Sequence, residues 1–243
     1  MSVLSIDLPV PERALAIGAH ADDAEFGCGA TLAKWAAAGA MVSFLVLTDG
    51  SKGSWDADAD PRELIAKRRA EQEKAAATLG ISEVLFADFV DGELENGRVE
   101  RARVCEVIRT MRPDVVLGHD PWKRYRLHPD HRHAGFLAVE GTVAARDPHF
   151  FPEQQLAHHR PSAMLLWEAD EIDHVEDVSA TVDRKVAALL EHRSQFRSTM
   201  HIDDPGAEAE VEAFRARVRT RLADHGALAG LAQGEAFKAI RQL

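Results

Sequence analysis

The sequence predicts an α/β protein with a Rossmann-like, mostly parallel sheet flanked by helices, and three observations carry that expectation. Short apolar runs of strand length alternate with helical patterns through the first two thirds of the chain. Helix-ending and helix-starting signals fall between them, as at Gly39, Gly80 and Asp60-Pro61. One run, Val42 to Leu47, has the unbroken apolar character of a strand buried on both faces.

Taken in order, Ala14 to Ala19 reads as the first strand. A helix follows from about Cys28 to Ala38, capped by Gly39. Val42 to Leu47 is the second strand, and Thr48 to Asp60 a loop full of Gly, Ser and Asp. Asp60 caps a helix whose first residue is Pro61 and which stops at Gly80. A strand over 84–89, a helix over 100–111 and a strand over 114–118 come next. The loop His119 to His128 leads into a helix starting near Pro129. Ala163 to Glu168 is a further strand and Ser179 to His192 a helix. From Ala207 the chain reads as helical, charged and packed on the outside. With no internal repeat, low-complexity segment or linker, residues 1–243 are expected to form a single domain, its core over about 14–195 and a helical C-terminal extension over about 205–243.

The whole chain sets limits on function. It has 243 residues, enough for a full core, and a formal net charge of −11, which argues against a nucleic-acid partner. No stretch approaches the roughly 20 apolar residues of a membrane span, and the chain start has no signal-peptide pattern. Cys28 and Cys105 sit within apolar helical patterns and read as reduced thiols. A cytoplasmic protein is expected, with a homo-oligomer possible. Lys123, Arg124, Arg126 and Arg132 form a local basic cluster, either a solvated loop or an attraction for an anionic substrate.

In open parallel sheets, ligands bind beyond the carboxyl ends of the strands. The segments following the first, second and fourth strands are therefore the ones to search. After the first lies Gly18-Ala19-His20-Ala21-Asp22-Asp23-Ala24-Glu25. Crowding an imidazole with three carboxylates is unfavourable unless a cation neutralises them, and this donor set suits zinc or its first-row neighbours. Taken alone, the cluster is more simply read as Asp22 or Asp23 capping the following helix. A second cluster, His128-Pro129-Asp130-His131, follows the fourth strand at the same sheet edge. There an acid between two histidines can orient an imidazole. Two clusters at one edge point to a catalytic metal with an open position.

At this point the residues resemble a known family. Ala19-His20-Ala21-Asp22-Asp23 with His128-Pro129-Asp130-His131 is similar to the LmbE-like, PIG-L-type zinc deacetylases, which include N-acetylglucosaminyl-phosphatidylinositol deacetylases and the deacetylases of mycothiol and bacillithiol synthesis. Leu47-Thr48-Asp49-Gly50, Arg68 and His192-Arg193-Ser194-Gln195 extend the resemblance from about Ala14 to Gln195. It implies that His20, Asp23 and His131 bind one zinc ion, with iron(II) as the alternative. Asp22 would be the general base, His128 the electrophilic partner or general acid, and Asp130 the residue that tunes His128. Ala21 and Ala24 depart from the family's common His-Pro-Asp-Asp-Glu form, with Glu25 one place late. That variant resembles the bacillithiol-type branch and removes no ligand. The implied activity is hydrolysis of the N-acetyl, or another N-acyl, amide of a glucosamine-type small molecule.

Around this set, Arg68, Asp91, Trp122 and Arg126 are expected to contact substrate. Trp55, Trp122 and Tyr125 suit sugar stacking or a lid equally, and Asp91 with Glu93 suits sugar hydroxyls, although a turn at Asp91-Gly92 is the simpler role. His158, His159, His174 and His201 read as surface or packing residues. Three competing functions stand beside the first: an amidase of a larger thiol-sugar conjugate, a non-catalytic metal-dependent sugar-binding module, and a nucleotide-binding domain. The last is disfavoured because Gly27 and Gly29 do not complete G-x-G-x-x-G and the acids would repel a pyrophosphate.

Overall fold

The computed structural model describes residues 4–243. Met1, Ser2 and Val3, part of the chain start read above, lie outside the described residues. Among those described, eight strands form one sheet: β1 (Ser5–Ile6), β2 (Arg13–Gly18), β3 (Met41–Thr48), β4 (Glu83–Phe89), β5 (Val115–His119), β6 (Ala163–Trp167), β7 (His174–Asp177) and β8 (Gly234–Arg241). The α-helices are α1 (Asp23–Ala37), α2 (Pro61–Leu79), α3 (Arg98–Met111), α4 (Pro129–Arg146), α5 (Val182–Leu189) and α6 (Glu208–Ala227). No helix among the described residues is long and apolar enough to cross a membrane.

Across the sheet the order is β1-β7-β8-β6-β5-β2-β3-β4, parallel throughout except where β8 pairs with β6 and β7. The chain leaves β2 on one side for β3 and β4, then returns to β2's other side as β5 and β6. Strand order therefore reverses between β2 and β5, and a crevice opens at their carboxyl ends.

Side chains of β2 point alternately to the two layers. Leu15 and Ile17 pack with Leu45, Val104, Ile108 and Leu137 under α3 and α4, whereas Ala14 and Ala16 pack with Leu32, Trp35, Phe44 and Leu79 under α1 and α2. Both layers are apolar, and each fully buried Leu or Ile contributes about 1.5–3 kcal/mol.

Two expectations need correction. Helix α1 begins at Asp23, well before Cys28, and Cys28 is instead a break inside it (φ −149°, ψ 15°). The break frees the amides of Ala30 and Thr31, which donate to the Glu235 carboxylate at 3.1 and 2.7 Å. Lys185 completes that buried cluster, its Nζ 2.6 Å from Glu235. Glu235 belongs to β8, so a distant segment caps a helix break that no local signal marks. The C-terminal extension is likewise helical only as far as Ala227; residues 234–241 are the strand β8, wedged between β6 and β7. Its last residues are partly exposed, which blurred the two-residue period, and its partners are set by tertiary placement. β1 and β7, with 2 and 4 residues, are too short to show a period at all.

Candidate metal centre and active site

The turn that follows β2 begins the site. Thr48 at the end of β3 donates through both its N–H and its Oγ1 to Ala19 O, each at 2.8 Å, pinning that turn to the neighbouring strand. His20 comes next, and its backbone N–H donates to Asp23 Oδ2 at 2.8 Å. Asp22 lies between them with φ +96° and ψ −24°, a conformation that L-residues rarely adopt. The strained residue turns two consecutive carboxylates in different directions.

α4 supplies the second half. Pro129 opens the helix, so His128 sits just outside it and His131 lies within the first turn. Gly135, one turn later, lets α4 press against the end of β5, where a Cβ at that position would meet His119 O at 2.7 Å. The close approach stacks the rings of His119 and His131, with centroids 4.5 Å apart.

Three donor atoms converge. His131 Nε2 lies 3.2 Å from His20 Nδ1 and 3.2 Å from Asp23 Oδ1. His20 Nδ1 is 3.5 Å from the Asp23 carboxylate. Ligand atoms about 2.0–2.1 Å from a tetrahedral ion would sit about 3.3 Å from each other, so the spacing fits a divalent ion. A second group, His20 with Asp91 and His128, is also compact. The hydrogen bonds favour the first. His20 Nε2 lies 3.1 Å from Asp91 Oδ1 and 3.3 Å from Asp130 Oδ2, and protonated Nε2 leaves the Nδ1 lone pair free. Asp23 Oδ2 is taken by the His20 amide and lies 3.1 Å from His119 Nε2, which leaves Oδ1 open.

The electrostatics follow from burial and pairing. Burial pushes the Asp22 carboxyl up to about 6, against the pull of the Arg68 guanidinium 3.8 Å away. Burial also acts on Asp23, but the neighbouring His131 and His119 imidazoles hold it well below the usual carboxylate range. For His128, burial and the neighbouring His20 and His131 charges lower the imidazole, so it is neutral near pH 7.

A cavity of about 440 Å³ opens over these groups, within the range of small-molecule sites. Arg68 and Trp55 line it, as does His128. The other expected substrate contacts are placed elsewhere. Asp91 is buried and spends its oxygens on His20 and the Lys52 amide, 3.1 Å each. Asp130 accepts from the Gly92 amide at 2.6 Å and faces His20, not His128 as expected. Trp122 packs edge-on against Phe136 outside the cavity. Arg126 is buried, with Nη1 donating to Glu168 Oε2 at 2.9 Å and to His119 Nδ1 at 3.1 Å. Two other members of the basic cluster are likewise engaged: Lys123 meets Glu168 O and Asp170, and Arg132 donates to Arg126 O at 2.9 Å, while the Arg124 side chain stays exposed.

Sequence reasoning missed several cavity groups. His119 ends β5 at the sheet edge where ligands are expected, yet it has no partner at ligand spacing in the sequence. Trp167 Nε1–H donates to His119 Nδ1 at 3.0 Å, which places the His119 proton on Nε2, towards Asp23. Glu168 and Arg221 also line the cavity, and Arg221 comes from α6, which the sequence placed on the outside. No local signal marks either residue.

A family profile described as PIG-L, GlcNAc-PI de-N-acetylase, matches residues 15–141. The diacetylchitobiose deacetylase of Thermococcus kodakarensis is 37% identical over 188 residues, covering 76% of this chain and 70% of that protein. A 1D-myo-inositol 2-acetamido-2-deoxy-alpha-D-glucopyranoside deacetylase of Kineococcus radiotolerans is 34% identical over 169 residues, 57% of this chain and 46% of its own length. Among solved structures, the N,N'-diacetylchitobiose deacetylase of Pyrococcus horikoshii superposes with a TM-score of 0.85 at 29% identity, over 95% of this chain and 84% of that one.

Proposed function

Because this chain belongs to the PIG-L family of de-N-acetylases, we propose that it hydrolyses the N-acetyl amide of an N-acetylglucosamine-type small molecule, using one divalent metal, zinc in preference to iron(II), held by His20, Asp23 and His131. The observation that carries the reading is the convergence of those three donors, with His131 Nε2 3.2 Å from both His20 Nδ1 and Asp23 Oδ1, beside the strained, buried Asp22. A non-catalytic sugar-binding module would have no use for that strain.

When bound, the ion would supply Lewis-acid polarisation of the amide carbonyl and make water more acidic. Asp22 accepts a proton from the attacking water, and its raised pKa suits a base that must later release that proton. His128, neutral and beside the rings of His20 and His131, donates a hydrogen bond to the oxygen that gains charge. The C–N bond breaks as the nitrogen takes up the proton that Asp22 received from water, giving acetate and a free amine. Asp130 and Asp91 hold His20, and His119 holds Asp23. Trp55 at the cavity wall is suited to a sugar face, while Arg68 beside it is engaged with the Gly50 and Ala21 carbonyls.

The test couples metal analysis with acetate release from N-acetylglucosamine, N,N'-diacetylchitobiose and a GlcNAc–inositol. About one metal per chain and acetate from at least one compound are expected. A fully metal-loaded protein that releases acetate from none would overturn the reading.

A further inference from the structure

One peptide group in the site is gripped at both ends by a single helix. The carbonyl of Ala21 accepts from Arg68 Nη2 at 2.8 Å, and the N–H of Asp22, the other end of the same peptide, donates to Gln72 Oε1 at 3.1 Å. Arg68 and Gln72 are i and i+4 on α2, so they project from one face, one turn apart. Both are buried, at 4% and 1% exposure. Turning this peptide over would change φ of Asp22, and φ of Asp22 is the strained angle, +96°.

Gln72 can be held in one orientation only. Its Nε2 donates to Glu25 Oε1 at 2.5 Å, while its Oε1 faces the Asp22 amide. A carboxylate accepts and an amide N–H donates, so the reversed side chain would satisfy neither. Behind Glu25 lies buried His192, its Nε2 3.6 Å from Glu25 Oε1. This row of buried groups makes no contact with the cavity apart from its end at Asp22.

We propose that Gln72, oriented by Glu25, is a positioning residue: with Arg68 it locks the Ala21–Asp22 peptide so that the Asp22 carboxylate points into the cavity, away from Asp23. The proposal rests on the reading of Asp22 as the base.

The test is a double-mutant cycle on acetate release from N,N'-diacetylchitobiose, with metal content measured for each protein. Gln72→Leu should lower kcat by about 10–100-fold, the scale of a small misplacement of a catalytic group, with KM and metal content near wild type. Gln72→Glu should lose activity as well, because two carboxylates would then face each other. The exchange Gln72→Glu with Glu25→Gln restores one donor and one acceptor and should recover most of the rate; it also keeps the test decisive if Gln72→Leu folds poorly. In an Asp22→Asn background, Gln72→Leu should cost nothing more. If Gln72→Leu keeps kcat, loses metal in parallel with rate, or adds its full effect to Asp22→Asn, the positioning role is wrong. If instead Asp22→Asn itself keeps full activity with metal bound, it is the base assignment that fails.

Discussion

His20 turns its Nε2 to the Asp91 carboxylate, 3.1 Å away, and by doing so presents Nδ1 to His131. Asp91 and Asp130 thus set the tautomer and ring angle of His20, the support that a proposed metal ligand would need. Asp91→Asn and Asp130→Asn should each weaken metal binding by about 10–100-fold, short of abolishing it. Chelator competition on the folded variants measures this, and unchanged affinity in both would show that His20 needs no such support.

Removing a ligand should be far more severe. His131→Ala and Asp23→Ala are expected to lose metal and activity together, because each takes away one of three protein donors. Elemental analysis of folded protein decides the matter: full occupancy in either variant rules out that residue as a ligand.

Asp22→Asn should keep its metal and lose activity by roughly 10²–10⁴-fold, as a side-chain amide cannot take up the proton. His128→Ala should behave alike, with metal retained and kcat reduced by a similar factor of roughly 10²–10⁴. The two histidines of one motif are thereby separated. An emptied His128→Ala beside a loaded His131→Ala would mean that their roles are exchanged.

Gly135→Ala tests the seat of α4. The added methyl would press on His119 O, so the helix must shift and carry His131 with it. Weaker metal binding with a modest loss of thermal stability is the expected outcome, measured by metal competition and a melting curve. A variant that binds metal normally would show that α4 tolerates the displacement.

The C-terminal strand has its own acid-sensitive anchor. Asp173 accepts from the Ala239 amide and from Lys238 Nζ, both at 2.7 Å. Burial would raise its pKa, but those two donors outweigh it and hold the group below the ordinary carboxylate value. A lowered folded-state pKa contributes stability above about pH 4, and the contribution is lost as pH falls through the folded value. Asp173→Asn should therefore destabilise the protein at pH 7, by less than a buried pair would because the group is partly solvent-screened, and progressively less as pH falls below about 4, which urea melts at pH 7 and at a more acidic pH would reveal. An equal loss at both would exclude the ionised form as the source.

Much of this was readable in one dimension. The strands that frame the crevice announce themselves by unbroken apolar runs, since a strand buried on both faces has no polar alternation to hide it. Asp60-Pro61 and Gly80 fix both ends of α2 by local backbone preference. His20, Asp23 and His131 stand out because a site that needs several lone-pair donors in one place leaves histidines and acids clustered in sequence, at turns after strands. What tertiary structure alone decided is of another kind. His119 is an isolated histidine until α4 stacks His131 on it. Asp91 reads as a turn residue until its carboxylate is seen to hold His20, and Arg126 reads as an exposed cation until Glu168 buries it. Gln72 is one polar residue in a charged helix until the fold sets it opposite the Asp22 amide. Local propensity and periodicity depend on neighbours within a few residues, so the sequence by itself determined the strands, the caps and the donor clusters. Which partner each buried polar group finds depends on segments far apart in the chain, brought together only when the sheet packs, and that the folded structure had to decide.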